Sequence, residues 1–252
     1  MLVDFVCLAS STKFGGRCVA GIRADGGGWV RPVSRDTDHG QLQLRHMKLN
    51  DGSEPRVLDL IRVDLACARP GPGHPENWEI GKRPWELISR PAEAEVVSML
   101  NAAVTLGPLL LESPGGQIVE HAASALSASL ALVLPSRLRW KLRKGDFDVF
   151  PQPRVLFDLE DRSYDLPVTD PLWTTRIRRA LAEREPGEHA QEAIGVAAES
   201  KFLITVSLSE PFHGVCYKLA ASMIVVPDSG VPRKAAGTAS KGSAGFSAAV
   251  GS

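Results

Sequence analysis

Apolar and polar side chains alternate along several short stretches in the first third of the chain. In "LVDFVCLA" at residues 2–9, Val3, Phe5 and Cys7 fall on one side and Asp4 on the other. The stretch "VLDLIRVDLACA" at 57–68 alternates in the same way. A period of two is the period of a β-strand, so the pattern predicts strands here. Between 17 and 33, two β-prone runs flank the turn "DGGG" and predict a hairpin. We expect loops at 34–56 and at the Pro- and Gly-rich stretch 69–85.

From residue 90 onward, the pattern predicts a more regular order of elements. A helix is expected at 90–103, with Val96, Met99, Leu100 and Val104 on one face. Strands are expected at 129–135, 137–143, 154–159, 163–168, 201–208 and 215–226. Asp170 and Pro171 open a further helix as N-cap and first residue, and its spacing predicts a buried face formed by Trp173, Ile177, Ala180 and Leu181. Three strands, a helix and two strands are typical of a small OB-type barrel.

These patterns predict a mainly β protein with a small α component. We expect two successive OB-like β-barrel domains, the first over residues 1–135 and the second over 136–227. Residues 228–252 are rich in Gly, Ala, Ser and Lys without periodicity, which indicates a disordered tail.

The charge balance excludes one class of nucleic-acid-binding protein. Lys and Arg together number 29, as do Asp and Glu, so the formal net charge of the 252 residues is 0. A strongly basic coat that attracts polyanions over a long range is therefore excluded, and any binding must come from a local patch.

The cysteines and apolar runs indicate a cytoplasmic protein. The four cysteines form no CxxC pair, so neither a disulfide framework nor a zinc site is expected. The N-terminus has no basic leader followed by a long apolar run. The longest apolar stretch, at 122–134, is shorter than the roughly 20 residues that span a membrane. We predict no membrane association.

Motifs of common enzymes are missing from the sequence. It contains no GxxxxGK[ST], GxSxG or HExxH pattern. We therefore expect no cofactor and no metal, and the sequence favours a non-enzymatic protein without excluding catalysis. The string "HPENW" at 74–78 places His74, Glu76 and Asn77 in one Pro-stiffened loop. They could form an acid/base pair or half of a metal site. The favoured alternative is that they hold the loop backbone while Trp78 packs on the barrel.

The stretch "SRLRWKLRKGDF" at 136–147, which contains the predicted strand 137–143, carries a row of cations. Its basic side chains alternate with Leu138, Trp140 and Leu142 and would lie about 6.7 Å apart on one face; they are Arg137, Arg139, Lys141 and Arg143. Such a face could follow the phosphates of an extended strand. The alternative is that it only protects a sheet edge from aggregation.

Two further stretches mix cations with aromatic rings. In "KFGGRCVAGIRADGGGWVRPVS" at 13–34, Arg17, Arg23, Trp29 and Arg31 could share one face of the predicted hairpin and bind nucleic acid. Trp29 could equally belong to the core. In "SLSEPFHGVCYKLAA" at 207–221, a loop carries Glu210 and Phe212, with Lys218 on the strand after it. Phe212 could stack on a base, or it could close the end of the barrel.

Three of these motifs, in their order and spacing, resemble the bacterial dual OB-containing domain family. They are "GRCVAGI…GWVRPVS", "HPENW" and "SLSEPFHGVCYKLAA", and the resemblance spans roughly residues 1–226. It implies two successive OB barrels and recognition of nucleic acid or nucleotides, in a bacterial conflict or defence system. It implies no catalytic residues.

The leading hypothesis is a non-enzymatic module that binds single-stranded DNA or RNA, or a nucleotide. The alternative is a protein-interaction or structural module that docks a protein partner within a larger assembly. A third is an enzyme acting on nucleotides or RNA through His74, Glu76, Glu210 or His213.

Overall fold

The structure is a computed structural model that describes residues 1–92, 95, 100, 103–144 and 150–226. Two predictions lie wholly or partly outside these residues: the tail at 228–252, and the helix at 90–103 with Val96 and Met99. In the part of the chain that is described, no helix is long and apolar enough to cross a membrane.

The first unit is a closed five-stranded barrel with OB topology. Its strands are β1 (Leu2–Lys13), β2 (Gly16–Arg23), β3 (Trp29–Val33), β4 (Leu60–Ala68) and β5 (Asn77–Ile80). They pair in the order β1-β2-β3-β5-β4, β4 returns to β1, and the β3–β5 pairing is parallel. A sixth strand, β6 (Glu86–Ser89), extends the sheet from β4. The predicted strands and hairpin are confirmed.

Close packing of β1 against β2 requires a glycine at position 21. A Cβ atom there would lie 1.9 Å from the carbonyl oxygen of Val6. Any side chain would therefore push the strands apart, beside the irregularity in β1 between Cys7 and Ala9.

Two stretches predicted as loops contain regular structure. A short helix, α1 (Leu44–Met47), lies within 34–56, and β5 lies within 69–85. The prediction of irregular structure was wrong for β5 because that strand is held by partners distant in sequence. It pairs in parallel with β3 and antiparallel with β4, and composition does not reveal such pairings.

The second unit has OB strand order but is open. Its elements begin with β7 (Gln117–Val119), α2 (Glu120–Ala123) and β8 (Leu130–Val133). They continue with β9 (Ser136–Arg143), β10 (Gln152–Leu159), β11 (Arg162–Pro167), α3 (Pro171–Leu181), β12 (His189–Ala190), a 3-10 helix (Gln191–Ile194), β13 (Lys201–Leu208) and β14 (Val215–Val226). One sheet has the order β11-β10-β9-β12 and the other β7-β14-β13-β8, with a parallel bridge from Val168 to Ala220 between them. Strand β12 pairs with β9, and strand β8 pairs with β13. In a closed barrel, β9 and β13 would pair with each other instead.

Helix α3 is capped and packed as predicted. The Asp170 carboxylate accepts hydrogen bonds from the amides of Leu172 (2.9 Å) and Trp173 (3.2 Å). The indole of Trp173 stacks on that of Trp140 in β9 with 5.9 Å between ring centroids. The helix thus covers the core of the open barrel.

The two units share a continuous apolar contact. Val6, Leu8 and Ile22 of the first barrel pack with Leu132 and Leu203 of the second unit. The Thr205 hydroxyl also donates to the carbonyl oxygen of Leu8 at 2.7 Å. Strand β8 precedes residue 135 in sequence but pairs with β13, and the predicted domain boundary at 135 stays a prediction.

Candidate nucleic-acid interface

Loops from both units line one pocket of about 670 Å³. Phe14, in the β1–β2 turn, and His74, in the β4–β5 loop, come from the first barrel. Glu210 and Phe212, in the β13–β14 loop, come from the second unit, together with Arg143 at the end of β9. In each unit, these residues lie in or beside the loops that follow the first and the fourth strands of the OB fold. The OB fold uses the same loops to bind oligonucleotides.

Aromatic rings stand at the mouth of this loop pocket. Phe14 is 65% exposed and Phe212 is 63% exposed, and Tyr217 lies nearby on β14. The ring of Phe14 stacks on His39 with 4.0 Å between centroids. Large exposed rings are costly in water, so a ligand with flat faces would gain from covering them.

Cations surround the rings and are only partly balanced by acids. The Glu210 carboxylate accepts from Lys13 Nζ at 2.7 Å and contacts His39 Nδ1 at 2.8 Å. Burial alone would raise the pKa of Glu210, but the hydrogen bonds and charges of Lys13 and His39 outweigh it and lower that pKa. Arg154 is paired with Asp165 at 2.5 Å. Arg143 is exposed and forms no ion pair with any described residue.

A buried polar cluster forms the floor of the loop pocket and links the two units. Arg31 is paired with Glu76 at 3.1 Å, and both side chains are almost fully buried. Arg31 Nη2 also donates to the hydroxyls of Ser129 (3.0 Å) and Ser207 (3.1 Å) in the second unit. The Ser129 amide and hydroxyl both donate to the Glu76 carboxylate. The "HPENW" loop therefore holds more than its own backbone, because it ties the barrel to the neighbouring sheet.

His74 is electrically neutral in this cluster. Burial, followed by the positive charges of Arg31 and Lys13, lowers the pKa of His74 to about 3. Arg31 Nη1 and Ser129 Oγ each lie 2.8 Å from His74 Nδ1; a guanidinium can only donate, so Nδ1 accepts from Arg31, and the Ser129 hydroxyl donates to Glu76 instead. The ring proton must then sit on Nε2, which no described residue accepts. His74 lines the pocket, so the floor combines a neutral imidazole with a compensated ion pair.

The cations predicted on one face of β9 have acidic neighbours. Trp140 is buried, whereas Arg137, Arg139 and Arg143 are exposed. Arg137 is paired with Asp158, Arg139 with Glu188 (3.3 Å) and Lys141 with Asp165 (2.7 Å). These acids come from β10, β11 and the segment before β12. Phosphate binding by this face stays a prediction.

Four other candidate residues lie away from the loop pocket. Arg17 is half-buried and contacts Glu54 at 3.8 Å. Trp29 packs between the units. Asn77 is on β5 opposite Arg31, and its side-chain oxygen is buried without a partner among the described residues. Lys218 is fully buried, and its ammonium donates to the Ser113 carbonyl at 2.6 Å. Burial lowers the Lys218 pKa to about 8.

The expected common face of Arg17, Arg23, Trp29 and Arg31 is not found. Gly21 pairs with Val30 and Ile22 with Trp29. Because paired residues share a side of the sheet, Trp29 and Arg31 point away from the side of Arg17 and Arg23. The register between β2 and β3 decides which side of the sheet Trp29 and Arg31 occupy, and the sequence pattern does not reveal that register.

Several pocket residues carried little signal in the sequence. His39 lies in a polar loop without a pattern, and Arg154 is a single cation within an apolar strand. Phe14 had a usable signal, since it is a large apolar residue immediately before the two glycines of the β1–β2 turn. Among the described residues, no three His, Cys, Asp or Glu side chains are grouped so that they could hold a metal ion.

Comparison with known proteins identifies the family of this chain. No curated protein matches the chain. A solved structure of a murine DNA-binding protein bound to double-stranded DNA is 10% identical, with a TM-score of 0.32; the match covers 90% of this chain and 97% of that one. The model of the dual OB-containing domain matches residues 3–223. With the OB topology of its strands, this match shows that the chain belongs to the dual OB-containing domain family.

Proposed function

We propose that this protein binds single-stranded nucleic acid at the loop pocket. The observation that carries the proposal is the meeting of the binding loops of two OB units at one pocket. In an isolated OB fold these loops flank the binding face of a single barrel. Here they face each other across a cavity with aromatic and cationic side chains.

The chemistry of the pocket suits a base better than a phosphate at its floor. The floor is neutral, because Arg31 is compensated by Glu76 and His74 is uncharged. A base could accept from His74 Nε2 and stack on Phe14, Phe212 or both. Stacking of this kind contributes about 1–3 kcal/mol per base and tolerates any sequence.

Phosphates would lie at the mouth of the pocket, where the cations are exposed. Arg143 is placed to contact one of them, and Lys13 can exchange part of its interaction with Glu210 for another. Duplex DNA keeps its bases stacked on each other, so their faces are not available to these rings. This favours single strands, and the same chemistry would accept DNA or RNA.

Fluorescence anisotropy with labelled single-stranded DNA and RNA tests the proposal. Phe14→Ala with Phe212→Ala should weaken binding at least tenfold, since about 1 kcal/mol or more is lost per stacked base. Leu172→Ala is the matched control: Leu172 is 81% exposed on α3 and does not line the pocket. Equal affinity of the Phe variant and the control would refute the proposal, as would tighter binding to duplex than to single strands.

A further inference from the structure

A second cavity on the first barrel is lined by basic side chains. It has a volume of about 520 Å³ and lies between the segment after β3, helix α1 and the β5–β6 turn. We call it the basic cleft, and its cations are Arg35, Arg45, Lys48, Lys82 and Arg83. None of them lines the loop pocket.

The acids in the basic cleft do not balance these cations. Its lining contains two, Asp36 and Glu79. Glu79 is buried and paired with Arg35 at 2.5 Å, so its charge is already used. Lys48, Lys82 and Arg83 are all exposed, and their side chains form no ion pair with a described residue. A local excess of positive charge therefore remains although the chain as a whole is neutral.

One turn of the chain separates the basic cleft from the loop pocket. Ser34 lines the cleft, and His39 lines the pocket. The turn between them is closed by a hydrogen bond of 3.0 Å from the Ser34 amide to the Gly40 carbonyl. Arg69, which is exposed, donates to the Ser34 carbonyl at 3.0 Å and adds a cation to this ridge. The turn itself also carries two exposed acids, Asp36 and Asp38, so a polyanion leaving the pocket would pass them before it reached the cations of the basic cleft.

We propose that the basic cleft binds the phosphodiester backbone of a strand whose base or bases occupy the loop pocket. This inference rests on the proposed function, because it extends the same ligand. The pocket has the size of a small-ligand site and holds only a short piece of a polymer. The cleft then explains how a neutral protein could bind a longer strand: two neighbouring sites divide the work, one stacking bases and the other neutralising phosphates.

The experiment compares oligonucleotides of about 3 and about 15 nucleotides, since a single OB unit contacts a few nucleotides. The variant Lys82→Gln with Arg83→Gln should bind the longer strand about tenfold more weakly at low salt. It should also lower the slope of log affinity against log salt by about 1.4, or about 0.7 per lost contact. Binding of the short strand should stay unchanged.

The matched control removes two exposed cations at the opposite end of the second unit, Arg162→Gln with Lys201→Gln. Lys201 begins β13, the strand whose last residue, Leu208, lines the loop pocket. An unchanged salt slope for the cleft variant, or an equal loss for the control, overturns the inference while the proposed function stands. If the wild type binds neither strand, the proposed function fails and the inference fails with it.

Discussion

The buried ion pair between Arg31 and Glu76 offers a severe test of the structure. Glu76→Gln keeps the size of the side chain and one acceptor oxygen, but it removes the negative charge and replaces the other acceptor oxygen, to which a Ser129 group donates, with an NH2 donor. The side chains of Arg31 and Glu76 are 5% and 6% exposed, so water cannot replace the lost carboxylate. Removing one partner of a buried pair costs about 3–5 kcal/mol because the other charge is left uncompensated. That is a large fraction of the roughly 5–15 kcal/mol that stabilises a typical domain.

Urea unfolding at neutral pH, followed by tryptophan fluorescence, measures the loss. Glu54→Gln is the control, because the Glu54 side chain is 48% exposed and lies 3.8 Å from Arg17, where a pair contributes at most about 1 kcal/mol. Adding Arg31→Met to Glu76→Gln should recover part of the stability, since no buried charge is then left. A loss below about 1 kcal/mol for Glu76→Gln would refute the reasoning, because it would mean that the carboxylate does not compensate a desolvated arginine.

Two further predictions concern His74 and strand β9. The pKa of His74 falls from 6.5 in the unfolded chain to about 3 in the folded protein. Between pH 6.5 and about pH 3, His74 is therefore protonated in the unfolded chain but not in the folded protein. The free energy of unfolding should therefore decrease as the pH falls between these values, by at most about 1.4 kcal/mol per pH unit. Urea titrations at several pH values should show a weaker pH dependence for His74→Gln than for the wild type. If the stabilities of the variant and the wild type depend on pH in the same way, His74 is not neutral in the folded protein. Replacing Arg139 and Lys141 with Ser tests the predicted phosphate contacts of β9. If these contacts occur, the slope of log affinity against log salt falls by about 1–2, while the free energy of unfolding changes by less than about 1 kcal/mol. An unchanged slope would mean that Arg139 and Lys141 only form ion pairs with Glu188 and Asp165 and contact no phosphate.

Local patterns were sufficient for elements whose partners are close in sequence. The β2–β3 hairpin needed only its glycine turn, and α3 needed only Asp170, Pro171 and the spacing of its apolar residues. The strand patterns at 201–208 and 215–226 also match β13 and β14. Each of these elements has hydrogen bonds within itself or with the next element along the chain, so many of the amino acids that determine it are adjacent, although β13 and β14 also pair with the distant strands β8 and β7.

Elements that depend on distant partners were missed or left open. Strand β5 forms because β3 and β4 offer hydrogen bonds to it from both sides, in a region whose Pro and Gly content indicates a loop. The second barrel has the expected strand order, but its closing pairing is taken by β8 and β12. The sequences of β8 and β12 have no pattern that reveals which sheet edge each strand pairs with.

The candidate site shows the same division. By itself, the sequence determined which residue types were available: the "HPENW" loop, the Glu210–Phe212 loop and the alternating cations of β9. Tertiary structure decided which of them meet, because the docking of two barrels brings Phe14, His74 and Phe212 to one pocket while burying Lys218 and Trp29 elsewhere. It also supplied the acids that pair with the β9 cations. Charge and stacking act through space, and only the folded chain sets those distances.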